Sequence, residues 1–174
     1  MVELEDKLQR LHAANFQWAL HCTGGRREDA EDALQQAYEA LLDGSASFEG
    51  RSNFKSFLFG VIRNKARSLR RRKKWGRLVG LDRIDPPAVA PTGSDELERG
   101  ERQAAVRQAI AHLSPRQRDV LELVFYHELT VEEAAVVMGV RLGTARTHYK
   151  RAKSALQKQL MDGELQWQET TIGS

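Results

Sequence analysis

The side chains best suited to chemistry lie near the C-terminal end of the chain, where hydroxyl groups and cations recur at helical spacing. At about 100° per residue, they project from one side of a predicted helix whose other side is apolar. Guanidinium, ammonium and hydroxyl groups hydrogen-bond to the phosphates and base edges of nucleic acid. We predict that Thr144, Arg146 and Thr147, near the helix start, reach base edges. The cations further along, predicted to bind phosphates, are Lys150, Arg151 and Lys153.

The segment before these side chains predicts the element that positions them. Ser114 with Gln117 and Thr130 with Glu133 each have the spacing of a capping box, which begins a helix. Gly139 ends the short second helix, and the cationic helix follows at once. Two short helices joined by a tight turn that contains glycine are typical of a helix-turn-helix. The alternative is an ordinary helical hairpin with a cationic surface.

Basic and acidic residues are segregated along the chain. Residues 63–77 contain nine Lys and Arg and no acid, residues 141–158 contain six and no acid, and residues 28–43 contain six acids and no Lys or Arg. The net charge of the whole chain is only +3, so the segregation creates surfaces of opposite sign. The basic surfaces suit a polyanion. A solvated helix face is the alternative interpretation of either basic stretch.

Helical patterns on both sides of a proline-rich stretch predict an all-α chain of two small helical domains joined by a flexible linker, the C-terminal domain being a helix-turn-helix. Apolar residues recur at helical spacing from Ala30 to Leu42 and from Phe54 to Ile62, and no window alternates as a strand would. Three of the four prolines lie between residues 76 and 100. The predicted divisions are a first domain at 1–75, a linker at 76–100, a second domain at 101–160 and a tail at 161–174.

The apolar patterns also predict which side chains form the core. Leu121, Val124 and Phe125 are expected to form the buried stripe of the helix that Ser114 begins. In the first domain, Phe59 lies off the apolar stripe of its helix, so the pattern leaves it open between the core and a surface contact.

Composition argues against several classes of protein. The single cysteine, Cys22, excludes an intramolecular disulfide and a cysteine-built metal site. The five histidines have no metal-ligand spacing, and no glycine-rich phosphate loop or nucleophile motif is present. We therefore expect no metal, no cofactor and no enzymatic activity. No apolar run approaches the roughly 20 residues of a membrane span, so we expect a cytoplasmic protein without membrane insertion.

The motifs together resemble the bacterial RNA polymerase sigma factors of the extracytoplasmic-function (ECF) class. Residues 113–157 are similar to the family's promoter-binding C-terminal domain. The segment Asp29-Ala30-Glu31-Asp32, followed by Gln35 and Tyr38, resembles its core-polymerase-binding helix. Residues 48–58 resemble the loop and helix that recognise the −10 element, and residues 61–66 continue the match. The resemblance covers roughly residues 10–75 and 101–158.

The resemblance implies an alternative sigma factor that binds core RNA polymerase and directs promoter recognition, DNA melting and transcription initiation. It implies sigma region 2 in residues 1–75, sigma region 4 in residues 101–160, and an anti-sigma factor as a further partner. The implied polymerase-binding residues are Asp29, Glu31, Asp32 and Gln35. The implied contacts to the −10 element and single-stranded DNA are Phe48, Glu49, Arg51, Ser52, Asn53, Lys55, Arg63, Asn64, Arg67, Arg70 and Arg71. The implied −35 contacts are Arg141, Thr144, Arg146, Thr147, Lys150, Arg151 and Lys153.

Two alternatives remain at this point. A two-domain helix-turn-helix regulator would bind DNA without replacing the initiation factor, and it would need neither the basic, aromatic segment nor an acidic polymerase face. The acids at 29–32 could also serve only their own helix, because carboxylates near a helix N-terminus are favoured by the helix dipole. Arg141 departs from the family's usual Ser at the helix start, so it leaves that start less fixed or contacts a phosphate instead.

Overall fold

The computed structural model describes the backbone of residues 2–78 and 109–172, and the side chains of residues 3–75 and 109–159. Every regular element in these ranges is a helix, which confirms the all-α prediction. The described residues fall into two compact units: one contains residues up to 78 together with Val136–Gly139, and the other contains the rest. Most of the predicted linker, residues 79–100, lies outside the described residues.

The first unit consists of three helices, α1 (Val2–Thr23), α2 (Arg27–Leu42) and α3 (Phe54–Leu78). Glycines with left-handed backbones end the first two helices. Gly24 has φ 71° after α1, and Gly44 has φ 79° after α2. A left-handed residue turns the chain out of a helix, and glycine adopts that conformation without steric cost.

An aromatic pair forms the centre of the first unit. The Trp18 side chain is fully buried, and its indole Nε1 donates a hydrogen bond to the Phe59 carbonyl at 3.0 Å. The Trp18 and Phe59 rings stack with centroids 5.7 Å apart. Phe59 is also fully buried, so the core position is the correct one of the two that the sequence left open. The pair fixes α3 against α1.

Small residues bring α2 and α3 close together. Ala33 on α2 packs against Ala66 and Leu69 on α3, and Cys22 of α1 borders this cluster. Ala33 and Ala66 are both fully buried. Because the two backbones approach through alanine, polar side chains at the edges of the contact can reach from one helix to the other.

The second unit contains α4 (Pro115–Leu121), a π-helical turn (Glu122–Tyr126), the first part of α5 (Val131–Met138) and α6 (Leu142–Ile172). The last helix continues past residue 160, where the sequence predicts a separate tail. No described helix is both long enough and apolar enough to cross a membrane.

The π-helical turn changes which residues of this segment are buried. Val120 and Leu123 are fully buried and Leu121 is 7% exposed, whereas Phe125 is 64% exposed. The expected burial of Phe125 is therefore wrong. A π turn contains more residues than an α turn, so it rotates the following side chains away from the face that the α-helical period predicts.

Candidate functional site

Both predicted capping boxes are present in the second unit. The Ser114 N–H donates to Gln117 Oε1 at 2.9 Å, and Ser114 Oγ accepts from the Gln117 N–H. The Thr130 N–H donates to Glu133 Oε2 at 2.7 Å, and Thr130 Oγ1 accepts from the Glu133 N–H at 3.2 Å. These bonds satisfy backbone donors that a helix N-terminus leaves unpaired, so they fix where α4 and α5 begin.

The turn between α5 and α6 is tight. Gly139 has φ 62°, and the Val140 N–H donates to the Ala135 carbonyl at 3.1 Å. This left-handed helix end lets α6 begin three residues after Gly139. The carbonyl of Arg141 accepts hydrogen bonds from the N–H groups of Thr144 and Ala145, while the Arg141 side chain is exposed. Backbone hydrogen bonds therefore hold the start of α6, and the Arg141 side chain stays on the surface.

One side of α6 is buried, as the sequence predicts. Ala145 and Ala152 are fully buried, and Ala152 packs with Leu113 and Leu121. Tyr149, Ala155 and Leu156 are partly buried against the same cluster. This packing fixes the rotation of α6 about its own axis and so determines which side chains face outward.

The predicted nucleic-acid residues of α6 lie on its exposed side. Thr144, Arg146, Thr147, Lys150, Arg151 and Lys153 are all exposed. The Thr147 hydroxyl donates to the Gly143 carbonyl at 2.8 Å, so its oxygen can still accept a hydrogen bond. The Lys153 ammonium lies 4.4 Å from the centre of the Tyr149 ring, a distance typical of a cation–π contact. Their contacts with DNA stay a prediction.

Glu132, which no motif of the sequence indicates as functional, pairs with one of these side chains. Arg146 Nη2 donates to Glu132 Oε1 at 2.8 Å. The hydrogen bond from Arg146 lowers the pKa of the Glu132 carboxyl below its ordinary value. The two residues are fourteen positions apart and on different helices, so helical periodicity could not reveal the pair.

On α2, three of the four predicted polymerase-binding residues are exposed. These are Glu31, Asp32 and Gln35. Glu31 pairs with Arg27 at 2.8 Å, and the Gln35 side-chain amide donates to Glu39 at 2.9 Å. Such exposed pairs are weak and can be exchanged for a partner's groups.

Asp29 differs from the other acids of the segment because its side chain is buried. The residue is 2% exposed, and its carboxylate pairs with Arg26 Nε at 2.5 Å and with Lys73 Nζ of α3. Burial alone would raise the pKa of Asp29, but the hydrogen bonds from Lys73 and Arg26 outweigh it and lower the pKa below its ordinary value. Asp29 is therefore not part of the exposed acidic surface of the free chain, and its contact with polymerase stays a prediction.

A groove of about 500 Å³ lies between α1 and α2. Its lining includes His12 and Phe16 of α1, and Glu31, Gln35 and Leu42 of α2. The groove thus combines apolar surface with two of the predicted polymerase-binding side chains. The sequence pattern of α2 alone does not indicate this groove, because α1 supplies the other wall.

Tyr38 also lines this groove, and its hydroxyl joins the two helices. It accepts a hydrogen bond from the fully buried Asn15 at 2.9 Å and lies 3.3 Å from His12 Nδ1. Burial raises the pKa of Tyr38 above its ordinary value. These contacts tie the apolar stripe of α2 to α1.

The loop between α2 and α3 presents an aromatic cluster. Phe48 is 44% exposed, and its ring meets Phe54 edge-on with centroids 5.5 Å apart and lies 5.3 Å from Phe57. Beside it, Arg51 pairs with Glu49 at 2.6 Å, and both side chains are exposed. An exposed ring held by two others can serve as a stacking platform.

Asn53 and Ser52 make backbone contacts at the start of α3. Asn53 Oδ1 accepts from the Ser56 N–H at 2.7 Å, and the Asn53 carbonyl accepts from the Phe57 N–H at 3.1 Å. The Ser52 hydroxyl donates to the Asn53 carbonyl at 3.2 Å. Asn53 therefore caps α3, a structural role that the family resemblance does not imply. Its contact with a DNA base stays a prediction.

The basic stretch of α3 is mostly exposed. Asn64, Arg67, Arg70 and Arg71 lie on its surface, followed by Trp75, which is 72% exposed. Lys55, at the other end of α3, lies 5.7 Å from the centre of the Phe59 ring. Arg63 is the exception: only 9% of the residue is exposed in the free chain. Its contact with DNA stays a prediction.

Comparison with known families matches both parts of the chain. The model of Sigma-70 region 2 matches residues 8–76, and that of Sigma-70, region 4 matches residues 103–156. The first range contains α2, most of α3, and the loop between them (residues 43–53), which we call the aromatic loop. The second contains the helix-turn-helix.

Known proteins resemble the chain over most of its length. It is 28% identical over 155 residues to the ECF RNA polymerase sigma factor SigM of Mycobacterium tuberculosis, covering 89% of this chain and 76% of that relative. It is 30% identical over 133 residues to the ECF RNA polymerase sigma factor EcfG of Rhodopseudomonas palustris, covering 76% of this chain and 71% of that relative. The solved structure of the sigma factor RpoE in complex with the anti-sigma factor NepR, from Bartonella quintana, matches with a TM-score of 0.70 and 25% identity, covering 92% of this chain and 98% of that one.

Proposed function

The chain belongs to the RNA polymerase sigma factors of the extracytoplasmic-function class, and from this we propose how its parts divide the work of initiation. As a member of that family it is an alternative sigma factor that binds core polymerase and directs promoter recognition and transcription initiation. We assign the exposed face of α2 to polymerase, the aromatic loop and α3 to the −10 element, and α6 to the −35 element.

The observation that carries the proposal is that the exposed charges are sorted by helix. On α2 the exposed side includes Glu31 and Asp32, whereas α3 and α6 expose mainly cations. Acids attract a basic protein surface and repel DNA, and cations bind the phosphate backbone. A regulator that only binds DNA has no need of the acidic helix, so this sorting favours a sigma factor over that alternative.

We assign the polymerase contact to the groove between α1 and α2 together with the exposed acids beside it. The apolar lining, including Phe16 and Leu42, would bury surface, and Glu31 would pair with a cation of the polymerase. Asp32 lies outside the groove lining and extends the acidic surface. A polymerase segment that is both apolar and basic has the matching chemistry.

At the −10 element, we assign base stacking to Phe48 and phosphate binding to the exposed cations of α3. Opening of a promoter exposes unstacked bases, and stacking on an aromatic side chain contributes about 1–3 kcal/mol per base. Glu49, Arg51 and Ser52 lie beside Phe48 with polar groups that can contact a base edge. Arg67, Arg70 and Arg71 follow on the next turns of α3.

At the −35 element, we assign base reading to the first turns of α6. Thr144, Arg146 and Thr147 lie near the N-terminus of this helix, the part that contacts base edges in a helix-turn-helix. Lys150, Arg151 and Lys153 lie further along, where phosphate contact sets position rather than sequence.

We also propose that the chain has no catalytic activity of its own, that it acts in the cytoplasm with polymerase, and that an anti-sigma factor controls it. The last proposal is supported by the resemblance to RpoE, which was solved in complex with the anti-sigma factor NepR. An anti-sigma factor would have to cover either the α2 face or the cationic faces to block initiation.

The test of the polymerase assignment is the affinity of the chain for core polymerase. The double variant Glu31→Gln/Asp32→Asn should bind more weakly than the wild-type chain, and the difference should shrink at high salt because exposed charges are screened. Glu28→Gln is the matched control, since Glu28 is an exposed acid in the first turn of the same helix. Equal affinities for the double variant and the wild-type chain, with circular dichroism showing both folded, would show that Glu31 and Asp32 do not contribute to polymerase binding.

A further inference from the structure

Asp29 connects the acidic helix to the basic stretch of α3. Its carboxylate accepts hydrogen bonds from Arg26 at the start of α2 and from Lys73, which lies forty-four positions later in the chain. Asp29 is 2% exposed, whereas the Lys73 side chain is 42% exposed. The pair thus lies at the edge of the contact between α2 and α3.

Lys73 is bound differently from the cations beside it. Arg70, Arg71 and Lys74 are exposed, and Lys73 turns toward α2 to reach Asp29. The next residue toward the N-terminus, Arg72, also reaches α2, with its guanidinium 3.4 Å from the Gln36 side-chain oxygen. Two consecutive side chains of the basic stretch are therefore directed toward α2.

Removing Lys73 from this pair would be costly. A phosphate that took its ammonium group would leave the buried Asp29 carboxylate with Arg26 alone, and a buried charge that loses a partner is strongly destabilised. The pair is also screened less by salt than an exposed pair. The packing of Ala33 against Ala66 and Leu69 holds the two helices together beside it.

We propose that Asp29 determines which cations of α3 bind DNA: it holds Lys73 in an ion pair within the domain, so that phosphates are bound by exposed neighbours such as Lys74 and not by Lys73. Asp29 is then a positioning residue of the DNA-binding face, although it lies on the helix assigned to polymerase. This inference rests on the proposed DNA role of α3.

The first test is the salt dependence of binding to a single-stranded oligothymidine by the full chain, measured by fluorescence anisotropy. Each phosphate contact on single-stranded DNA contributes about 0.7 to the slope of log K against log salt. We expect Lys74→Met to lower the slope by about 0.7, and Lys73→Met to leave it unchanged. Asp29→Asn should raise the slope by about 0.7, because it frees Lys73, and Asp29→Asn/Lys73→Met should restore the wild-type value.

The second test examines the ion pair without DNA. Acetylation of the full chain by a water-soluble acylating reagent, followed by mass spectrometry, should modify Lys73 more slowly than Lys74. In Asp29→Asn the two rates should become similar. Equal rates in the wild-type chain would overturn the proposal.

The outcomes separate this inference from the assignment of α3 to DNA. If Lys73→Met and Lys74→Met lower the slope equally, Lys73 binds phosphate and the inference is wrong, while the DNA role of α3 stands. If the wild-type chain does not bind oligothymidine, or if no α3 variant changes the slope, the DNA role fails and the inference fails with it. Should Asp29→Asn or Lys73→Met not fold, as judged by circular dichroism, the acetylation rates of Lys73 and Lys74 in the wild-type chain still decide.

Discussion

Arg146 of α6 donates a hydrogen bond to Glu132 of α5 at 2.8 Å, so the first helix of the helix-turn-helix holds a side chain of the second. Both side chains are more than half exposed, and such a pair contributes little to stability. Its larger effect is on geometry. A guanidinium that is held on one side presents its other N–H groups in a fixed direction, which is what bidentate recognition of a base requires.

The two cations Arg146 and Lys150 should have different roles at a promoter. Arg146→Ala should change which −35 sequences are used, because a good base contact is worth about 1–3 kcal/mol of discrimination. Lys150→Ala should weaken binding to all sequences alike and lower the salt slope by about one unit. The measurement is holoenzyme binding to a matched and a mismatched −35 sequence at several salt concentrations. Identical behaviour of the two variants on both sequences would show that the assignment of base and phosphate contacts is wrong.

Glu132→Gln tests the geometric role of the ion pair. The glutamine is nearly the same size but carries no charge, so Arg146 should lose its fixed direction while the helix stays intact. We expect the free energy of unfolding to change little, because the pair is exposed, and −35 discrimination to fall by less than it does in Arg146→Ala. Binding to matched and mismatched sequences, with thermal unfolding as the control, checks both expectations. Unchanged discrimination between the two −35 sequences would show that the ion pair with Glu132 does not orient Arg146 for base recognition.

Local patterns identified the elements of the second unit well, and the structure shows why. Both capping boxes and the glycine turn depend on residues within five positions of one another, so their spacing is visible in the sequence. The exposed side of α6 follows from a simple α-helical period. The burial of Phe125 was mispredicted because the π-helical turn interrupts that period, and no residue of the segment signals a π turn by its type.

In the first unit, helical periodicity could not predict the burial of residues whose environment comes from another helix. The sequence places Asp29 with Glu31 and Asp32, but its carboxylate is buried and pairs with Lys73 on α3. Phe59 lies off the apolar stripe of α3, yet Trp18 on α1 covers it. Periodicity within one helix contains no information about these partners. The polymerase and DNA contacts themselves stay predictions.

The stability of the first unit should depend on pH through Asp29. The pKa of this carboxyl in the folded chain lies below its ordinary value of 3.8, so the folded state is stabilised while the group is ionised. That contribution is complete above the unfolded pKa and is lost as the pH falls through the folded one. Relative to Asp29→Asn, the wild-type chain should therefore lose its advantage in stability below about pH 4. Urea unfolding from about pH 6 to about pH 2 measures the difference. A difference that does not change with pH would show that the ion pairs do not hold Asp29 ionised.

The core role of Trp18 predicts a large effect for a conservative substitution. Trp18→Phe removes the hydrogen bond to the Phe59 carbonyl and leaves a cavity, so the free energy of unfolding should fall by about 1–3 kcal/mol. Trp75→Phe is the matched control, because Trp75 is 72% exposed, and it should change stability by less than about 0.5 kcal/mol. Urea unfolding followed by circular dichroism compares the two. Equal losses would contradict the buried position of Trp18.

The central claim is that the chain directs core polymerase to promoters through two DNA elements. The most direct measurement is transcription in vitro from fragmented genomic DNA by core polymerase, with and without the chain, followed by sequencing of the RNA 5′ ends. The account predicts new start sites that appear only with the chain and share one element near −10 and another near −35. It also predicts that Arg146→Ala redistributes these start sites, and that Glu31→Gln/Asp32→Asn reduces initiation at all of them. No new start sites, with DNA binding intact, would contradict the account and indicate a regulator that acts without replacing the initiation factor.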